Sequence, residues 1–190
     1  MAGVVMEIAA RPIQDEKREL WYRQNALEEV RPLVFCSPEN SWNEIILPEH
    51  LECETDHSRM WEFWLRQEIF WVDEMGDDRV VTGNFDIAHV YSESDWGVHE
   101  TYTHGGDGGS YVWDAPLKDY VDISKLHFPE IVVDYEATDR LVALAQNTFG
   151  DLLNVRLHQI WCWTVGLTST VVRLRGMEQM MMDMVLEPEG

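Results

Sequence analysis

Seven side chains stand where chemistry could be done: Glu39, Asn40 and Trp42, then Asp86 and His89, then His158 and Trp161. The first three follow the apolar run Leu33 to Cys36, which an Arg31-Pro32 pair cuts off from the preceding segment. That pattern predicts a short buried strand leading into a polar loop. Asp86 and His89 lie within a β-branched and aromatic run over 80–91, and His158 and Trp161 lie at or beyond a predicted strand over 152–157. A dry strand that ends in a polar loop is where parallel α/β folds place their sites. If these strands are parallel, their tips gather at one mouth. A carboxylate, an imidazole and indoles around an apolar pocket suit a planar or small organic substrate. Taken singly, each of these residues also reads as an ordinary hydrogen-bonded loop or strand residue.

Several other chemistries lack their residues. His99 and His104 do not have the spacing of a zinc-binding HExxH pair, and an odd separation puts them on opposite faces of a strand. There is no GxSxG elbow for a serine nucleophile and no GxGxxG at a strand-to-helix turn. The Gly105-Gly106-Asp107-Gly108-Gly109 run is followed by further β pattern and no Lys-Ser/Thr, so it reads as a turn and not as a phosphate cradle. No metal site or cofactor is expected within this chain.

The elements that must position the seven residues follow from periodicity. Helices are predicted over 13–30, 58–75, from Asp134 to Gly150, over 167–173 and over 176–187. Asp134 is expected as an N-cap and Gly150 as a stop. Met177, Met180, Met181, Met184 and Val185 form a stripe at helical spacing, expected to be core packing. Two alternating runs around the glycines predict an antiparallel hairpin over about 97–114. No internal repeat or linker divides the chain, which therefore reads as one unit over 1–190.

Composition bounds the partners. The formal charge is -21, from 35 acids against 14 bases, which argues against nucleic acid and against anionic membranes. No apolar run approaches the ~20 residues of a membrane helix, and the start of the chain lacks a signal-peptide pattern. Cys36, Cys53 and Cys162 show no CxxC spacing and fit a reducing, cytoplasmic setting.

Three segments carry a family resemblance: DEKRELWYRQNALEEVRPLVF, HFPEIVVDYEATDRLVALAQNTFGD and GLTSTVVRLRGMEQMMMDMVLEPE. They resemble the N-terminal half of the uroporphyrinogen decarboxylase superfamily, which includes porphyrinogen decarboxylases and corrinoid- and thiol-dependent methyltransferases. The resemblance implies an α/β fold, a partial (β/α)8 TIM barrel with an inserted β-hairpin. Such a barrel takes about 250 residues, so the chain resembles one part of it. Unclosed strand edges would then leave the chain marginal in isolation, or pair it as a homodimer. Family decarboxylases carry Arg-Gln-Ala-Gly-Arg after the first strand, where this chain has Ser37-Pro38-Glu39-Asn40-Ser41-Trp42. Phe85-Asp86-Ile87 loosely matches the family's strand with the catalytic aspartate, which makes Asp86 the catalytic candidate; the other six are expected to bind substrate. The loss of the basic loop favours a methyl-transferring enzyme that acts on a small methylated substrate with a corrinoid protein. Zinc is expected in its full-length form, on ligands outside this chain. A lyase of porphyrin metabolism using Asp86, and a non-catalytic half-barrel that only binds, are the alternatives.

Overall fold

The computed structural model describes residues 1–105, 110–159 and 166–187, the side chain of Asn40 excepted. In chain order the elements are α1 (Ala2–Ala9), α2 (Pro12–Asn25), α3 (Trp42–Ile45), α4 (Asp56–Phe70), β1 (Asn84–Ile87), β2 (Tyr91–Glu93), β3 (Thr101–His104), β4 (Tyr111–Asp114), β5 (Ile131–Val133), α5 (Tyr135–Phe149), β6 (Asn154–Leu157), α6 (Thr168–Arg175) and α7 (Met177–Leu186). The protein is mixed α/β, with three two-stranded sheets and none closed into a barrel among the described residues. Two compact units divide it, Met1–Ile87 with Asp139–His158, and Ala88–Thr138 with Gln159–Gly190.

The first unit is built on a parallel pair. β1 and β6 align Asn84 with Asn154, Phe85 with Val155, Asp86 with Arg156 and Ile87 with Leu157. Strand alternation sorts these residues by face. Phe85, Ile87 and Leu153 turn into the core, where they meet Ala2, Val5 and Ile8 of α1, Trp61 and Leu65 of α4, and Ala145 of α5. The rings interlock: Phe85 lies 4.6 Å from Phe149 between centroids, and Trp61 meets both edge-on at 5.7 and 5.6 Å. α1 was not foreseen from its composition, yet Val5 and Ile8 are among the most buried residues.

α4 starts where a capping box fixes it. Thr55 Oγ1 accepts from the Ser58 N–H, and Ser58 Oγ accepts from the Thr55 N–H. It runs to Phe70, continues as one wider π turn over Trp71–Met75, and ends at Gly76, whose φ of 61° is the left-handed conformation that glycine tolerates.

α2 docks in an unexpected way. The predicted helix over 13–30 ends at Asn25, and Leu27 just beyond it is exposed. The helix instead uses polar side chains at helical spacing against the backbone of 77–81. Gln14 Oε1 accepts from the Val81 N–H at 2.9 Å, Lys17 Nζ donates to the Asp77 carbonyl at 2.6 Å, and Trp21 Nε1 donates to the Asp78 carbonyl at 2.7 Å. Residues 77–81 lie outside any strand, so their peptide groups need side-chain partners.

The segment 33–36 departs from expectation for the same reason. It is not a sheet strand, and Val34 and Phe35 are more than half exposed. Carboxylates take the place of a neighbouring strand: the Val34 N–H donates to Asp78 Oδ2 and the Cys36 N–H to Asp77 Oδ2, at 2.8 and 2.9 Å. Trp71 Nε1 holds the Cys36 carbonyl at 2.9 Å, and Arg31 forks onto Asp78.

The second unit holds two antiparallel sheets among the described residues. β3 and β4 form the predicted antiparallel hairpin, with Thr101 opposite Asp114 and His104 opposite Tyr111. β2 pairs antiparallel with β5. Asp134 caps the following helix as expected, its Oδ1 accepting from the Ala137 N–H at 2.8 Å. The methionine stripe on α7 departs from the expected core role: Met177, Met181, Met184 and Val185 are exposed, and Met180 is half-buried.

Candidate functional site

The face of β1 and β6 opposite the core carries Asn84 and Asp86 on one strand and Asn154, Arg156 and His158 along the other. Register decides which of these meet. Asn154 Nδ2 donates to Asn84 Oδ1 at 2.9 Å. One step on, Arg156 forks onto Asp86, Nε to Oδ1 at 2.7 Å and Nη2 to Oδ2 at 2.8 Å. At the carboxyl end His158 brings Nδ1 to 3.1 Å from Asp86 Oδ2, while its own N–H continues the ladder to the Ile87 carbonyl at 2.9 Å.

Chemically this is a carboxylate shared by a guanidinium and an imidazole. The charge-assisted fork holds the Asp86 carboxylate in a fixed plane. Asp86 in turn raises the Arg156 guanidinium above its ordinary range, chiefly through that hydrogen bond. With Nδ1 facing the carboxylate, the opposite ring nitrogen of His158 is the one available to move a proton. All three side chains are between one-third and about half exposed, so a solute can reach them. Beside Asp86 runs a cleft of about 350 Å³ whose lining includes Asn84, Thr82, Arg79, Glu68 and Trp64. Two of the three charged side chains in its wall, Arg79 and Glu68, neutralise each other, since Arg79 donates from both Nη atoms to Glu68 at 2.6 and 2.5 Å; the third is Asp86.

The other candidates are distributed elsewhere. Glu39 is exposed in a short 3₁₀ turn at a left-handed φ of 49°, and Asn40 belongs to the same turn. Trp42 is buried against Trp71 at 4.7 Å and Phe70 at 5.8 Å, in a second aromatic cluster with Ile46, which gives it a packing role. His89 belongs to the second unit. Its ring meets Tyr135 edge-on at 6.4 Å and its N–H donates to Gln159 Oε1 at 2.8 Å. Trp161 and Cys162 lie outside the described residues. Sequence reasoning missed Arg156. Its signal was parity: Arg156 and His158 are two residues apart on one strand and so share a face, but only the register sets them against Asp86.

A second group of ionised side chains serves the fold. Glu62, buried on α4, accepts from the N–H groups of Glu52 and Cys53 and from Arg66 Nε. Burial opposes its ionisation, but these bonds prevail and hold its carboxyl at about 2. Asp78 is likewise held at about 2, chiefly by Arg31 and then by the Val34 N–H. The Cys53 thiol is pushed up by the Glu62 carboxylate, so it is no activated nucleophile.

Among the described residues, no three His, Cys, Asp or Glu side chains come together as a metal ligand set. None of their helices is long and apolar enough to cross a membrane. No family model, no curated protein and no solved structure matches the chain.

Proposed function

We propose that this chain supplies the opening parallel strands of a small-molecule enzyme of α/β-barrel type, with its site at the carboxyl ends of β1 and β6. One observation carries the reading: Asp86, Arg156 and His158 meet at 2.7–3.1 Å on the face of the pair turned away from the core. The carboxyl ends of parallel strands are where barrel enzymes gather reacting groups. His158 is the general acid or base, and Asp86 orients it. Arg156 fixes Asp86 and offers a guanidinium to an anionic substrate group.

The resemblance to the uroporphyrinogen decarboxylase superfamily gives this arrangement a reaction class. In a methyl-transferring enzyme working with a corrinoid protein, His158 would take the proton from the accepting thiol as the sulfur attacks the methyl group, and the methyl–cobalt bond would break with its electron pair left on the departing corrinoid. Zinc, the thiol activator of that branch, would be held by residues outside this chain. Methyl transfer from methylcobalamin to a thiol, followed by absorbance in the protein that carries this chain, tests the reading. His158→Gln and Asp86→Asn are each expected to slow it about 100-fold. Turnover that is absent from the unaltered protein, or indifferent to both substitutions, would sink it.

A second reading is favoured by Arg156 itself. The loop over 37–42 lacks the basic residues of a decarboxylase, and Arg156 supplies one guanidinium beside Asp86. Porphyrinogen decarboxylation lost in Asp86→Asn, with no methyl transfer, would select this reading.

A further inference from the structure

The stripe of methionines at 177, 180, 181 and 184 has the spacing of a buried helix face, yet Met184 is 69% exposed. Where α7 meets α6 and the 3₁₀ turn Tyr120–Lys125, the second unit contains a groove of about 500 Å³. Leu117 and Leu174 are its buried residues, and Ile123, Leu126, Val171 and Met180 complete most of its apolar wall. That volume lies within the range of pockets that bury a ligand.

The groove is a built feature and not a frayed helix end. Arg175 ties one wall to the other: Nη1 donates to the carbonyls of Leu117 and Lys118 at 2.9 and 2.5 Å, and Nε and Nη2 fork onto Asp183 at 2.7 and 3.0 Å. Its guanidinium also lies 5.4 Å from the centre of the Tyr120 ring. Asp122 closes the turn by accepting from the Lys118 and Asp119 N–H groups and from Lys125 Nζ. A groove held open in this way costs an incoming ligand little reorganisation.

Its rim is anionic. Arg175, the cation in its lining, is spent on Asp183, and the neighbouring Lys118 and Lys125 are spent on Asp114 and Asp122. Asp119 and Glu187 line the groove, and neither has an ion-pair partner among the described residues. The Tyr120 hydroxyl registers that field, raised by desolvation first and then by Asp183 and Glu187.

We propose that this groove binds an amphipathic helix of a partner protein, one with an apolar ridge flanked by Lys or Arg. The ridge enters the groove at i, i+3 or i+4, and i+7 spacing, as in other helix-in-groove complexes. Flexible thioethers adapt to its side chains. Basic flanks meet Asp119 and Glu187, and the chain's net charge of -21 speeds their approach. A second copy of this chain is a poor occupant, because it brings the same net charge of -21 to an anionic rim. An anionic membrane is repelled for the same reason.

The test uses the whole chain and a labelled Leu/Lys amphipathic peptide of about 18 residues, long enough to form a helix. The controls are a scrambled peptide and one with Glu replacing Lys. Fluorescence anisotropy is expected to show saturable binding, weakened at least tenfold by scrambling and by the Glu flanks. Met184→Lys is expected to weaken it about tenfold, and Asp119→Asn with Glu187→Gln about fivefold, with circular dichroism unchanged. Met184 is exposed, so the fold tolerates its substitution; Met180→Ala, inside the groove, provides a second measurement with the same expected direction. Equal affinity for all three peptides overturns the proposal. So does binding indifferent to the variants, or a Met184-dependent dimer or anionic-vesicle complex without peptide binding.

Discussion

In the first unit Trp61, Phe85 and Phe149 close on one another within 6 Å, while in the second Met181, Met184 and Val185 stand in solvent. Both sets lie on elements with regular apolar spacing, so spacing does not explain the difference. The difference is the surface each element has to lie on. α1, α4 and α5 share the apolar face of the parallel β1–β6 pair, a floor that serves all three. α7 has α6 and a short turn, which cover Met180 and leave the rest of the stripe exposed. Periodicity marks a face that suits burial; a matching surface completes the burial.

The largest expected effect tests that contrast directly. Trp61→Ala empties the ring cluster and is expected to lower stability by about 3–5 kcal/mol in urea unfolding. Met184→Ser is expected to stay within about 0.5 kcal/mol, as at other exposed sites. Comparable losses from the two would remove the distinction between the units.

Next comes Asp78→Ala, which leaves the Arg31 fork and the Val34 N–H without their acceptor. A loss of about 2–4 kcal/mol is expected, together with faster amide exchange over 33–36. Unchanged exchange there would mean that the carboxylate does not hold this segment.

Acid sharpens the comparison further. The folded Glu62 carboxyl lies at about 2 against an ordinary 4.5, so it binds a proton less readily than in the unfolded chain. Its contribution is complete above pH 4.5 and is lost as pH falls through about 2. Asp122 in the second unit lies at about 2 against 3.8, held chiefly by Lys125, and is lost over the lower part of the same window. Glu62→Gln is therefore expected to flatten acid unfolding of the first unit, and Asp122→Asn that of the second, each read by amide exchange between pH 4.5 and 2. The smallest effect is local. Gly97 sits at a φ of 87°, where an added Cβ would collide with the Lys125 carbonyl and the His127 ring. Gly97→Ala is expected to cost more than about 1 kcal/mol and to loosen 94–98, without moving the first unit's transition.

Much of this was legible in the chain. The hairpin over 97–114, the helix capped by Asp134 and the strand ending at Leu157 all depend on signals that are close in sequence. What failed was long-range. Leu33 to Cys36 has the composition of a buried strand, but the Asp77 and Asp78 carboxylates occupy two of its N–H groups, and no local pattern couples residues more than 40 positions apart. The docking of α2 is long-range too: Gln14, Lys17 and Trp21 bond to the backbone of 77–81, about 60 positions away.

The candidate site divides along the same line. Asp86 and His158 stand out in the sequence by residue type and by their place at strand ends, and that much follows from composition and alternation alone. Their meeting, the inclusion of Arg156, and the removal of Trp42 into an aromatic core were settled only by the tertiary fold. Strand parity is a property of neighbouring residues, but parallel register aligns residues 70 positions apart and depends on how the whole first unit packs.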